Sequence, residues 1–398
     1  MAKPPVPETV EHILNYHVDE IINRPLLAEK LRSGQILRIK LGVDPTKPDL
    51  HFGHAVVLWK LKEFQDAGHI VIFLIGDYTT RIGDPSGRNT TRPILSAEEI
   101  EQNAQTYLAQ VGKILDIKKC ELRRNSEWFE TMTFADIIKL LGQVTVAQII
   151  DREDFQTRLR KGLDVGMHEV IYPIMQGYDS VQLKCDVEIG GIDQKLNMLM
   201  GRDLQRKFGQ DEQAVMIMPL LLGLDGAKKM SKSLDNYIGI NEPPAAQFGK
   251  IMSLPDNLMM DYWELCTPAS SDELAQIKQE LADGTNPRDI KLRLAKAIVA
   301  LYHNQSAAEA AEAEFINTFQ KGELPKDMPM VKIPLEPISV VDLLVATGLV
   351  DSKSEGKRMI DQKAVKIDQQ LISDPDQKID PQVDMVLQVG KRKFAKLS

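Results

Sequence analysis

Two short stretches, far apart in the chain, carry side chains suited to handling a polyphosphate. The first is Gly42-Val43-Asp44-Pro45-Thr46 followed by His51-Phe52-Gly53-His54. It falls where a strand-like run ends and a helix-like run begins. A helix N-terminus there offers free N–H groups and a positive dipole end to anions. His51 and His54, three residues apart, share one face of the first turn and can both reach a phosphate. Thr46 adds a hydroxyl beside them, and Gly53, lacking a side chain, lets a flat base pack directly on backbone. Taken alone, the stretch also reads as a polar loop with two ordinary histidines, or as a stray metal pair.

The second stretch is Gly226-Ala227-Lys228-Lys229-Met230-Ser231-Lys232-Ser233. A glycine-hinged loop with Lys229 and Lys232 three apart can close over a polyphosphate and neutralise charge on a leaving pyrophosphate. The competing reading is a solvated basic loop. A third constellation, Tyr172-Pro173-Ile174-Met175-Gln176-Gly177-Tyr178-Asp179, sets Tyr172, Gln176 and Asp179 at i, i+4 and i+7. A helix puts all three on one face. Ile171, Ile174, Met175 and Val181 make the surroundings apolar, so the stripe faces either a partly buried pocket or a satisfied polar network in the core. Gly190-Gly191-Ile192-Asp193-Gln194 and Ile82-Gly83-Asp84-Pro85-Ser86-Gly87-Arg88 are two further polar turns.

HxGH near a first strand paired with KMSKS far downstream resembles the class I aminoacyl-tRNA synthetases, and the Tyr172–Gln176–Asp179 stripe resembles the tyrosyl-tRNA synthetase family. The resemblance implies ATP as a substrate, carried in with Mg2+, and no structural metal bound by the protein. Phosphate charge would fall to His51, His54, Thr46, Lys229 and Lys232. Gly53, Asp193, Lys229, Met230 and Lys232 would form the ATP site, with Asp193 on the ribose and Arg88 and Arg92 near the departing pyrophosphate. It further implies Tyr172, Gln176 and Asp84 at the amino group of tyrosine, Gln194 near its carboxylate and Asp179 on its phenolic hydroxyl.

Two positions depart from that pattern. Lys40 stands where many members carry a tyrosine that also bonds the phenol, and Glu188 where many carry glutamine. Lys40 is accordingly expected in the tyrosine slot, with a pairing between Lys40 and Glu188 as the other reading. Three rivals are kept open. A tryptophanyl-tRNA synthetase is disfavoured by Asp179 and the Gly-Gly-Ile-Asp-Gln run. A small-molecule adenylyltransferase would lack a helical and RNA-binding tail, and a non-catalytic RNA-binding relative would show decay of His51, His54 or Lys232.

The elements that must position these groups alternate from about residue 36 to 240: Ile36–Val43 as strand, His54–Ala67 as helix, Ile70–Ile75 as strand and Ser96–Leu115 as helix. Cys120–Arg123, Glu169–Leu183, Asp186–Ile189, Asp193–Phe208 and Val215–Pro219 continue the series. Near-continuous apolar strands between helices predict an α/β, Rossmann-like, doubly wound parallel sheet. Ligands of such a sheet bind beyond the carboxyl ends of its strands. Residues 1–34 read as helical lead-in, and residues 1–240 as one catalytic domain.

Residues 241–322 read as a helical domain, with helix starts at Ser270…Glu273, Asn286-Pro287 and Ser306…Glu309; the family resemblance implies that this domain binds the anticodon. Residues 323–337, with Pro325, Pro329, Pro334 and Pro337, read as a stiff linker. Residues 338–398 form a small α+β unit resembling the RNA-binding module of a ribosomal small-subunit protein. Its candidate tRNA contacts are Lys353, Lys357, Arg358, Lys391, Arg392 and Lys393, and tRNA(Tyr) is the implied partner. The resemblance also implies a homodimer, with residues 130–165 as its interface.

Composition agrees. The 398 residues are 43% hydrophobic and 27% charged, with a net charge of −8 and pI near 5.5, as in an ordinary globular protein. Residues 336–398 hold ten basic and ten acidic residues, so the whole −8 belongs to the rest, and the last thirteen residues carry no acid. A basic tip on an acidic body suits an RNA partner touched at the chain end. Cys120, Cys185 and Cys266 are too dispersed for a disulfide framework or a CxxC site. A reducing cytoplasm and no membrane association are the expectation, since no apolar run is long enough to span a bilayer.

Overall fold

The chain begins with α1 (Pro7–Asn15), a short strand β1 (Glu20–Ile22) and α2 (Arg24–Arg32). Next come β2 (Arg38–Val43), α3 (Phe52–Asp66), β3 (Ile70–Ile75), α4 (Ala97–Val111) and β4 (Glu121–Arg124). Five helices follow: α5 (Ser126–Phe129), α6 (Phe134–Leu141), α7 (Val146–Ile150), α8 (Glu153–Arg160) and α9 (Met167–Leu183). The sheet is completed by β5 (Val187–Gly191), α10 (Lys195–Lys207) and β6 (Ala214–Met218). The computed structural model describes residues 7–84, 95–320, 328–333, 336–390 and 393–398. Arg88, Arg92, Lys391 and Arg392 therefore lie outside the described residues.

Strand order is β1-β6-β5-β2-β3-β4, parallel throughout except for the antiparallel β1–β6 edge. β3 is an unbroken apolar run with all but its first residue buried, as expected of a strand covered on both faces. Connections from β2 run outward to β3 and β4, whereas β5 and β6 lie on its other side. The carboxyl ends of β2 and β5 thus flank a switch point, where such sheets bind ligands. β1 corrects the expectation of a purely helical lead-in. Its three residues are too few to display a period of their own, and pairing with β6 creates the strand.

α9 and α10 approach closely because glycines face the contact. A Cβ on Gly177 would sit 2.9 Å from Met200 Cγ, and one on Gly201 would sit 2.6 Å from Gln213 Nε2. α9 also contains Pro173, which removes one helical N–H near the bottom of the cavity.

Beyond β6 the chain is helical: α11 (Pro244–Met252), α12 (Met259–Cys266), α13 (Ser271–Ala282), α14 (Pro287–Tyr302) and α15 (Gln305–Gln320). The Asn286 side chain caps α14 by accepting from Arg288 N at 3.0 Å, with Pro287 in the first turn. Ala295, Ile298, Val299 and Tyr302 are buried, and Tyr302 stacks on Phe52 of α3 with centroids 5.2 Å apart. α15 starts earlier than Ser306…Glu309 suggests, because Asn304 Oδ1 takes Ala307 N at 2.8 Å and does the capping instead. Two compact units result, Met1–Ala308 and Glu309–Ser398.

The second unit holds β7 (Met330–Val331), β8 (Ile338–Ser339), α16 (Val340–Ala346), α17 (Lys353–Asp361), β9 (Val365–Ile367), β10 (Gln370–Leu371), β11 (Lys378–Ile379), β12 (Val386–Val389) and β13 (Lys393–Leu397). Its main sheet runs β10-β9-β12-β13-β7. Leu343, Leu344, Ile360, Val365, Leu387 and Leu397 fill its core. Ser339 and Ser352 cap the two helices, and Gly348 stands at φ +69° just beyond the first. β7 lies inside the stretch read as linker, where its pairing with β13 turns an extended proline-flanked segment into an edge strand.

Candidate active site

A cavity of about 470 Å³ opens at the switch point of the sheet. Its lining unites residues from every stretch singled out in the sequence: Thr46, His51, Gly53, His54, Asp84, Tyr172, Gln176, Asp179, Asp193, Gln194, Lys229, Met230 and Lys232. The two distant basic and imidazole clusters therefore face one space.

At the α3 N-terminus His51 is the cap residue, and its backbone N–H donates to His54 Nδ1 at 3.3 Å. The two rings lie 3.9 Å apart. Burial, reinforced by Lys232, pushes His54 down to about 4. Burial together with His54, Lys232 and Lys229 also drives His51 well below the usual imidazole range. Both rings are neutral at pH 7, so they act as polar hydrogen-bonding groups and leave positive charge to the lysines. His51 Nδ1 is buried and unpaired. A Cβ on Gly53 would come within 3.1 Å of the His51 ring, so glycine keeps this wall flat.

The lysine loop is a small hairpin. Met230 N donates to Leu221 O at 2.9 Å, and Gly223 N to Lys228 O at 2.9 Å. Gly226 turns it at φ +70°, a conformation L residues avoid. Asp225 Oδ1 receives Ala227 N and Lys228 N at 3.0 and 2.9 Å. Asn236 pins the base, donating to Asp225 Oδ2 and Lys229 O and accepting from Ser231 N at 2.8 Å. Lys229 Nζ meets Asp193 Oδ2 at 3.1 Å, and Lys232 Nζ lies 5.7 Å from the Tyr107 ring centre. Burial lowers Lys232 to about 8.

The deep end of the cavity is built on α9. Tyr172 OH donates to Asp44 Oδ2 at 2.9 Å, and Thr79 Oγ1 donates to Asp44 Oδ1 at 2.8 Å. Asp179 is buried, with Trp128 Nε1 donating to Oδ1 at 3.0 Å and Asn125 Nδ2 to Oδ2 at 3.4 Å. Burial nonetheless raises it to about 7, against the opposing pull of Lys40 and those two donors. Gln194 Nε2 donates to Asp84 Oδ2 at 2.8 Å, and Asn197 Nδ2 reaches the side-chain oxygens of both Gln176 and Gln194 at 3.0 Å.

One expectation is corrected. Lys40 is fully buried and is absent from the cavity lining. Its ammonium donates to Ser180 Oγ and Gln176 O and pairs with Glu188 Oε1. The alternative pairing holds, because β2 and β5 are in register with Lys40 opposite Glu188. Sequence reasoning missed Asn125, Trp128, Asn197 and Asn236. Asn125 and Trp128 follow directly on the carboxyl end of β4, a position that the sheet-end rule could have flagged. In the second unit Lys353 pairs with Asp342 at 2.6 Å and Lys393 Nζ caps Leu349 O at 3.0 Å, while Lys357 is exposed.

A cavity of this kind at the switch point of a doubly wound sheet is the architecture of the class I aminoacyl-tRNA synthetases. The family described as tRNA synthetases class I (W and Y) matches residues 32–320, and the Tyrosine--tRNA ligase SYY-like C-terminal domain matches residues 319–397. The chain is 51% identical over 390 residues to a tyrosine--tRNA ligase of Moorella thermoacetica, covering 97% of this chain and 94% of that one. It is 52% identical to one of Shewanella oneidensis, covering 96% of each. It belongs to the tyrosine--tRNA ligase family. Solved structures support the fold alone: an Aspergillus nidulans mitochondrial tyrosyl-tRNA synthetase has a TM-score of 0.66 at 22% identity, over 78% of this chain and 94% of that one. A Plasmodium falciparum tryptophanyl-tRNA synthetase has 0.58 at 15%, over 77% and 88%.

Proposed function

We propose that this chain activates tyrosine with ATP to tyrosyl-adenylate and pyrophosphate, and then transfers tyrosine to the 3′ end of tRNA(Tyr). The observation that carries this reading is Asp179, a buried carboxylate at the deep end of the cavity that also contains His54 and Lys232. A phenol reaching Asp179 would donate its proton into a site already furnished with Trp128 and Asn125. A substrate without the hydroxyl would leave a buried charge short of a partner.

No protein nucleophile is required. The tyrosine carboxylate attacks the α-phosphorus in line, an oxygen–phosphorus bond forms as the bond to pyrophosphate breaks, and catalysis is positioning plus charge stabilisation. Tyr172, Gln176 and Asp84 hold the amino group, Gln194 lies near the carboxylate, and Asp193 takes the ribose after releasing Lys229. His51, His54 and Thr46 hydrogen-bond the phosphates, and Lys229 and Lys232 follow the developing charge on pyrophosphate. Mg2+ arrives on the ATP phosphates as part of the substrate. Phe134, Ile138, Val146, Leu159 and Leu163 expose apolar side chains and support a homodimer formed through residues 130–165. A reducing cytoplasm suits the three free thiols.

The deciding experiment is amino-acid-dependent exchange of labelled pyrophosphate into ATP, run with tyrosine, phenylalanine and tryptophan. Exchange with tyrosine alone supports the reading. Exchange with tryptophan, or none with any of the three, overturns it.

A further inference from the structure

Lys40 sits in the middle of the sheet, with β3 on one side and β5 on the other, and is 0% exposed. An ammonium has three N–H donors. Here they meet Glu188 Oε1 at 3.0 Å, Ser180 Oγ at 2.9 Å and Gln176 O at 3.1 Å, so none remains for a ligand. Glu188 is 2% exposed and lines the cavity that Lys40 does not. Glu188 Oε1 also receives Gln176 Nε2 at 3.2 Å, while Oε2 receives Ser180 Oγ at 3.1 Å and Gln213 Nε2 at 2.6 Å.

The consequence falls on Gln176. A carboxylate only accepts hydrogen bonds, so the Gln176 amide must turn its nitrogen to Glu188. Its oxygen then faces Asn197 Nδ2 at 3.0 Å, which can only donate. The amide is held from both ends. Stability does not demand charge at this point, since a buried ion pair is commonly no more stabilising than an uncharged pair of the same volume.

We propose that Lys40 and Glu188 form a charge-paired positioning unit behind the tyrosine slot, in which Glu188 fixes the Gln176 amide and Lys40 supplies the positive charge that keeps Asp179 an acceptor. Lys40 itself does not line the cavity and acts through Glu188 and Asp179. This rests on the assignment of Gln176 and Asp179 to that slot. Burial raises Asp179, and Glu188 of β5 adds to that rise; Lys40 of β2, with the donors Trp128 and Asn125, pulls the other way and favours the ionised form. Asn125 Nδ2 donates to Thr79 Oγ1 and Thr79 Oγ1 to Asp44 Oδ1, which links Asp44 to Asp179 through Asn125, and Tyr172, on the same helix, donates to Asp44. The Cys185 thiol, pushed up to about 12 by burial, stays neutral.

Lys40→Met, the double variant Lys40→Met/Glu188→Gln, and Asp179→Asn separate the possibilities, read by thermal melting and by pyrophosphate exchange against pH. Lys40→Met leaves Glu188 buried without its counter-charge and should melt early. The double variant removes both charges and should recover most of the lost melting temperature. Its KM for tyrosine should still be about tenfold raised with KM for ATP within about twofold, and the acid limb of kcat/KM for tyrosine should move up by about one pH unit. A double variant with wild-type KM and an unmoved limb would overturn the proposal, leaving the pair a packing device. Asp179→Asn tests the slot itself: if that variant keeps the preference for tyrosine over phenylalanine, the slot assignment fails, whatever Lys40 does.

Discussion

Trp128 Nε1 donates to Asp179 Oδ1 at 3.0 Å, with both groups buried beneath the cavity. The indole comes from α5, just past the carboxyl end of β4, and the carboxylate from the middle of α9. Their contact occupies one oxygen of the acid and leaves acceptor capacity for a hydroxyl entering from the cavity.

Replacement of Asp179 by asparagine should therefore strike tyrosine far harder than phenylalanine. A lost hydrogen bond to a buried charge is worth about 1.5–3 kcal/mol, roughly 10- to 150-fold in kcat/KM for tyrosine. Selectivity should narrow by that factor, a discrimination for which tyrosyl-tRNA synthetases are the usual worked example. Exchange rates with the two amino acids measure it directly.

The acidity of the site groups sets a pH window. Asp179, raised to about 7, must be ionised to accept the phenol, and Lys232, lowered to about 8, must be charged to meet pyrophosphate. The kcat/KM for adenylate formation should rise toward pH 7 and fall beyond 8, since this ratio reports the free enzyme. Lys232→Arg should abolish the basic limb, because guanidinium stays protonated.

Stability follows the same groups with opposite signs. Asp179 binds its proton more tightly folded than unfolded, so the stability it confers is complete below about pH 4 and lost as pH rises through 7. His54, lowered to about 4, contributes stability above about 6.5 that disappears as pH falls toward 4. Denaturant melts of Asp179→Asn should lose the first slope and keep the second.

His54→Ala should cost adenylate formation about 2.7–4 kcal/mol, the range for removal of one preorganised donor. Lys232→Ala should lower the single-turnover rate constant with little change in the dissociation constant for ATP. Stopped-flow measurement with saturating tyrosine distinguishes the two effects.

In the second unit, charge reversal at Lys353, Lys357 and Arg358 should weaken tRNA without touching activation. Pyrophosphate exchange should remain at its wild-type rate while KM for tRNA rises. The salt dependence of tRNA binding should also flatten, as fewer phosphates are neutralised.

Much of this molecule is written locally. Apolar strands such as Ile70–Ile75, the Asn286-Pro287 helix start and the spacing of Tyr172, Gln176 and Asp179 depend on near neighbours in the chain, so periodicity and capping chemistry expose them. Motif residues with unusual chemistry, His51, His54, Lys229 and Lys232, announce themselves in the same way. Tertiary structure alone decided the remainder. It turned Lys40 away from the cavity and onto Glu188, set Trp128 and Asn125 on Asp179, and recruited β1 and β7 as edge strands. In each case the partners come from separate segments, and whether a buried donor is already satisfied depends on which strand lies beside it, a fact that no run of neighbouring residues contains.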